Sequence, residues 1–134
     1  MKAFLFIFLF FSIFVQAAPS EGFYPYMICE GVVAANQGLD CNQLNGKQYF
    51  WCQAQKYAKS KACNQFSGAG YLWCLGLQAS IWQRDCESLS GSHYFICSGA
   101  KKAKLTRNCE NSRGDEFYVC LGIKGSLNQN CRNL

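Results

Sequence analysis

The chain has 134 residues and a formal net charge of +5, with 16% aromatic residues, ten cysteines and a single histidine. That length bounds it to one domain with a modest core, and the charge is too weak by itself to imply a nucleic-acid partner. Only the N-terminus carries an apolar run, so the sequence offers no second segment of the ~20 residues that span a bilayer.

Met1 and Lys2 precede an apolar run from Ala3 to Val15, followed by Gln16, Ala17 and Ala18. A positive start, an apolar core and small residues two apart (Val15 and Ala17) read as a secretory signal peptide over residues 1–17, cleaved after Ala17. Residues 18–134 then form a single domain. Without Lys2 it has twelve Lys and Arg against eight Asp and Glu, a net charge of +4. Export makes the protein secreted or periplasmic, where thiols oxidise to disulfides.

From Tyr26 onward the cysteines Cys29, Cys41, Cys52, Cys63, Cys74, Cys86, Cys97, Cys109, Cys120 and Cys131 recur every eleven or twelve residues. They define five units of 22–24 residues, a period that points to stacked supersecondary repeats. An aromatic stands three residues before the first cysteine of each unit (Tyr26, Tyr49, Tyr71, Tyr94, Phe117). A small residue stands two after it (Gly31, Ala54, Gly76, Gly99, Gly122). Residues three or four apart share a helical face, so the aromatic and the cysteine point at one neighbour.

Stretches such as Tyr71 to Ser80 and Tyr94 to Ala103 therefore predict helices of about three turns. Asp40, Asp85, Asn108 and Asn130 directly precede the second cysteine and suit the cap of a brief helix, which Gly46, Gly68, Gly91 or Gly114 would end. Tyr49-Phe50-Trp51-Cys52 and Phe117-Tyr118-Val119-Cys120 have strand propensity. Alternation stops after those four residues, and Gln53 to Lys59 and Ala100 to Lys104 are helix formers. The expected fold is all-α, a disulfide-stapled stack of five short helix–turn–helix repeats.

Two pairings of the cysteines are open. The gap from each second cysteine to the next unit's first is always ten residues with a glycine near its middle, which favours bridges across the glycine turns but leaves Cys29 and Cys131 at opposite ends. Pairing within units (Cys29 with Cys41, Cys52 with Cys63, Cys74 with Cys86, Cys97 with Cys109, Cys120 with Cys131) uses all ten and is preferred, since unpaired thiols are unexpected in an exported protein. Loops of a dozen residues give about 3 kcal/mol each from chain entropy under either scheme.

Chemistry-bearing motifs are sparse. Metal sites in cysteine-rich chains place two ligands two to four residues apart, and no two cysteines here are that close. The sequence therefore assigns no metal, no cofactor and no catalytic residue. His93 sits in a glycine turn beside Ser92, an adjacency that nucleophile–base sites do not use. Asp85 and Glu87, and Asp115 and Glu116, are paired carboxylates placed in or near turns. The basic residues Lys56, Lys59 and Lys61 of the second unit and Lys101, Lys102, Lys104 and Arg107 of the fourth are the candidate residues for an anionic partner. Phe23, Tyr24 and Tyr26 are placed to cap an open apolar end of the stack.

The recurring Tyr/Phe-x-x-Cys-x-small followed by Asp/Asn-Cys-x-x-Leu-x-Gly resembles exported cysteine-rich helical repeat proteins of bacteria, over Tyr26 to Leu134. The resemblance implies an architecture and no reaction. The expected function is a secreted or periplasmic binding module whose partner is a protein or an anionic envelope polymer, not nucleic acid. A small hydrolase-type enzyme and a small basic toxin or defence protein are the alternatives.

Overall fold

A computed structural model describes residues 18–134; residues 1–17, the segment read above as a signal peptide, lie outside the described residues. Five helices follow in order: α1 (Pro25–Asn36), α2 (Gly46–Lys59), α3 (Gly68–Ile81), α4 (Ser92–Leu105) and α5 (Gly114–Leu127), with short 3-10 turns at Cys41–Gln43 and Cys63–Gln65. No strand occurs among the described residues. The all-α, five-repeat architecture follows the cysteine rhythm, one long helix per unit.

The stack has no open end. Each helix packs on two others, α1 on α2, α2 on α3, α3 on α4, α4 on α5, and α5 back on α1. The helices run parallel around this ring. Lys104 Nζ in the last turn of α4 donates to Ser80 Oγ in the last turn of α3, and Trp82 just beyond α3 donates from Nε1 to the Ala58 carbonyl near the end of α2. Antiparallel helices of fourteen residues would hold such ends about 20 Å apart.

The small-residue slot makes the contact. A Cβ placed on Gly31 would lie 2.6 Å from Trp51 Cβ, on Gly76 2.7 Å from Ile96 Cβ, and on Gly99 2.6 Å from the Glu116 carbonyl. On Gly122 it would lie 2.6 Å from Ile28 Cβ, so the fifth helix treats the first as its successor. The partner in each case is the residue before a unit's first cysteine or that residue's neighbourhood. This slot, Ile28, Trp51, Trp73, Ile96 and Val119, is buried throughout. Four and seven residues further on stand Val32, Gln55, Leu77, Ala100 and Ile123, then Ala35, Ala58, Ser80, Ala103 and Ser126, also buried. An i, i+4, i+7 face on every helix thus fills the ring.

Parallel helices require a return segment after each one, and this decides the disulfides. Each second cysteine lies in a return segment that runs beside the next helix, giving Cys41–Cys52, Cys63–Cys74, Cys86–Cys97 and Cys109–Cys120. The preferred pairing within units is therefore incorrect. Cys29 and Cys131 are not stranded: ring closure makes α1 the next helix for the fifth return segment, and they pair across 102 residues. All five bridges occupy equivalent positions around the ring.

Local chemistry ends and restarts the helices. Gly38, Lys61, Gln83 and Gln129 adopt positive φ after α1, α2, α3 and α5. The next residue's N–H in each case bonds five residues back, as Leu39 to the Ala34 carbonyl and Arg84 to the Ala79 carbonyl, a left-handed C-terminal cap. In the returns, Asp40, Asp85, Asn108 and Asn130 each accept the N–H two residues on. Only Asp40 caps a brief helix, the 3-10 turn Cys41–Gln43, whereas the other three close turns in which no brief helix forms. The glycines after them open the following helix instead of ending the short one. Gly91, for example, has φ +57°, and a Cβ there would meet nothing within 4 Å, so conformation and not space holds glycine at that position.

The N-terminal arm closes one mouth of the ring. Trp51 and Trp73 stack at 4.5 Å, Phe23 meets both edge-on at 5.8 and 5.6 Å, and Trp51 Nε1 donates to the Gly22 carbonyl. Ser20 N–H donates to Asp115 Oδ1 of α5, and Glu21 pairs with Lys47 of α2. Of the three aromatics placed to cap the stack, Phe23 alone is buried as a plug, whereas Tyr24 and Tyr26 stay exposed.

Candidate interaction surface

Most of the basic residues assigned to an anionic partner are occupied inside the molecule. Lys56 Nζ donates to the Leu39 carbonyl at 2.6 Å, and Lys101, in the same slot two units later, donates to the Arg84 carbonyl. Each lysine thus ties its helix to the preceding return segment. Lys102 pairs with Glu116, whose Oε1 also accepts from Ser98 and Ser112 at 3.1 and 3.2 Å, linking α4 to α5. Lys104 reaches Ser80, and burial lowers its ammonium pKa below the ordinary 10.5. Arg107 donates to Asn128 Oδ1 at 3.0 Å. Lys61 lies 3.8 Å from the centre of the Trp82 ring, and Lys59 is exposed.

The carboxylate pairs are likewise engaged. Asp85 accepts the Glu87 N–H, Asp115 accepts from Ser20, and Glu116 holds Lys102, so each pair has at least one carboxylate bonded within the fold. His93 opens α4, and its carbonyl faces the Gly76 contact. Ser80 sits beside Lys104 but is fully buried, and neither groove described below reaches it. All ten cysteine sulfurs are in bridges, and no cluster of three His, Cys, Asp or Glu side chains occurs among the described residues.

Two shallow grooves lie where α1 meets the end of the chain. One, of about 280 Å3, is lined by residues including Glu30, Gln37, Leu39, Leu44 and Arg132; the other, of about 220 Å3, includes Asn36, Ser126 and Leu127. They share Val33, Gln37 and Gln129 and mark the seam at which the ring closes.

The parallel helices sort the surface by ends. All five C-termini meet at one rim, opposite the mouth plugged by Phe23. Large apolar side chains stand exposed there: Leu39 just past α1, Trp82 just past α3, Leu105 at the end of α4 and Leu127 at the end of α5, with Leu105 71% exposed. Lys59, Lys61, Arg84 and Arg107 are exposed among them. Helix C-termini carry negative dipole ends, which favour cations. Asp40 and Asp85 sit at the rim's margin, held in their return turns. The sequence identified three of these cations and missed Arg84, Trp82 and Leu105, because only the common direction of the helices places them together.

No family model, no curated protein and no solved structure matches this chain.

Proposed function

We propose that the protein is an exported, disulfide-locked binding module that engages an anionic partner with the C-terminal rim of its helical ring. The observation that carries this reading is the gathering of exposed Lys59, Lys61, Arg84 and Arg107 with exposed apolar side chains on one end of the molecule. A rigid frame supports it, since five bridges and ring closure leave little conformational entropy to lose on binding. Five disulfides also suit an oxidising compartment. The basic set for this role is narrower than the sequence implied: Lys56, Lys101 and Lys102 serve the fold.

Retention of the oxidised protein on heparin along a salt gradient tests the reading. The triple variant K59Q/K61Q/R84Q is expected to elute at clearly lower salt, and the double variant K56Q/K101Q to elute close to wild type. An unretained wild type, or equal shifts for both variants, refutes the rim as the anionic site.

A further inference from the structure

The geometry points to an anionic lipid bilayer surface as the partner of the C-terminal rim. This inference rests on the anionic-partner reading above and adds the chemical class. A hydrophilic polyanion satisfies cations but leaves apolar side chains in water. The rim exposes both kinds together. Leu39, Trp82, Leu105 and Leu127 come from four different helix ends, so they lie around the ring's perimeter and form no single pocket. With neighbouring helix axes ~8–10 Å apart, five helix ends fall on a circle roughly 15 Å across. A planar surface can touch all four positions at once, whereas a narrow polymer strand cannot.

The side chains fit the headgroup boundary. Trp82 is held by Nε1 donation to the Ala58 carbonyl and by Lys61 over its ring, an indole fixed at the rim with a cation beside it. Tryptophan favours the membrane interface, and lysine and arginine near an anionic surface add electrostatic attraction. Leucines at the same level supply apolar contact with the acyl boundary. No helix among the described residues is long and apolar enough to cross a membrane, so the contact is a peripheral one.

Partitioning of the oxidised protein onto phosphatidylcholine vesicles, with and without phosphatidylglycerol, tests the inference. Trp82 is the only exposed tryptophan, Trp51 and Trp73 being buried, so a blue shift of emission reports its transfer from water. Binding is expected only with phosphatidylglycerol present, with a blue shift, and to weaken with salt. K59Q/K61Q is expected to weaken it about 30-fold, from roughly fivefold per cation. L105S, a change at the most exposed leucine that leaves the core untouched, is expected to weaken it severalfold with unchanged heparin elution. W82A serves as a second variant, its binding read by co-sedimentation with the vesicles because the emission reporter is gone, and with circular dichroism as the folding control. Heparin retention without vesicle binding overturns the bilayer inference and leaves the anionic-partner reading standing. Loss of both overturns both, and vesicle binding indifferent to L105S and W82A overturns the apolar part of the inference.

Discussion

Opening the ring at its single long-range bridge is the sharpest test of the closed architecture. The Cys29–Cys131 bridge closes a 102-residue loop, while each of the other four closes one of 11. Chain entropy gives about 4.7 kcal/mol for the long loop and about 2.8 kcal/mol for a short one. The four short bridges act as shortcuts inside the long loop and cut its effective length to roughly 60 residues, which lowers its value to about 4.3 kcal/mol. The double variant C29A/C131A is therefore expected to lose about 1.5 kcal/mol more than C41A/C52A in urea unfolding.

Cavity formation works against this ordering, because Cys41 is buried whereas Cys131 is half-buried, so the control loses more packing. The slope of the urea transition separates the two effects. Removing the long bridge releases the denatured chain from a large ring and exposes more surface, so m rises clearly in C29A/C131A and little in C41A/C52A. Equal slopes for the two variants, or a smaller loss in C29A/C131A with no change in m, would refute ring closure through this bridge.

Four further outcomes follow from named contacts. Gly99→Ala drives a Cβ to 2.6 Å from the Glu116 carbonyl and is expected to cost about 1–3 kcal/mol in urea unfolding; a neutral effect would show that α4 and α5 are not in close contact. Gln83→Gly relieves a non-glycine residue at φ +54° and is expected to gain about 0.5–1 kcal/mol, visible as a higher Tm, with no gain counting against a left-handed cap there. Glu116→Ala strips Lys102, Ser98 and Ser112 of their shared acceptor and is expected to cost about 1–3 kcal/mol, an effect that 1 M salt should not abolish; a loss erased by salt would reduce the pair to a surface contact. Lys104 has a folded pKa lowered by burial, so the unfolded chain binds its proton more tightly and the group's contribution to stability increases as pH rises from the lowered value to 10.5. The wild-type minus Lys104→Met stability difference should therefore grow with pH across that window, and a flat difference would contradict the burial.

The repeat, the long helices and the polar side chains that bond in the turns were legible because each is a local property. Asp40, Asp85, Asn108 and Asn130 bond only two residues ahead, and Gly31, Gly76, Gly99 and Gly122 recur at one offset from a cysteine. Closure was not legible, because it depends on small rotations between neighbouring helices summed over five units, which no single unit encodes. The pairing error followed from that gap: in an open stack Cys29 and Cys131 have no partner, so pairing across the glycine turns is rejected despite its constant ten-residue spacing. A signal was present in the slot before each first cysteine, where Ile28, Trp51, Trp73, Ile96 and Val119 repeat as large apolar residues and, with the positions four and seven later, outline one buried face. The basic residues misled for another reason. Lys56 and Lys101 lie at the same slot and reach carbonyls 17 residues upstream, a tie that depends on the return segment's path and is invisible in charge patterning.

Helix direction connects the fold to the proposed surface. In an antiparallel bundle neighbouring dipoles oppose one another and each end mixes N- and C-termini. Here five parallel helices place every C-terminus at one rim, and the cations collected there oppose the negative dipole ends. Part of that charge is consumed by structure, as with Lys56 and Lys101 on return-segment carbonyls. Lys59, Lys61 and Arg84 make no ion pair among the described residues and stand beside apolar side chains that the core does not take up. Stability of the ring explains the first group. The second group adds less to that stability, above all the exposed leucine at the end of α4, and the proposed partner rests on this surplus of apolar surface beside cations that make no ion pair among the described residues.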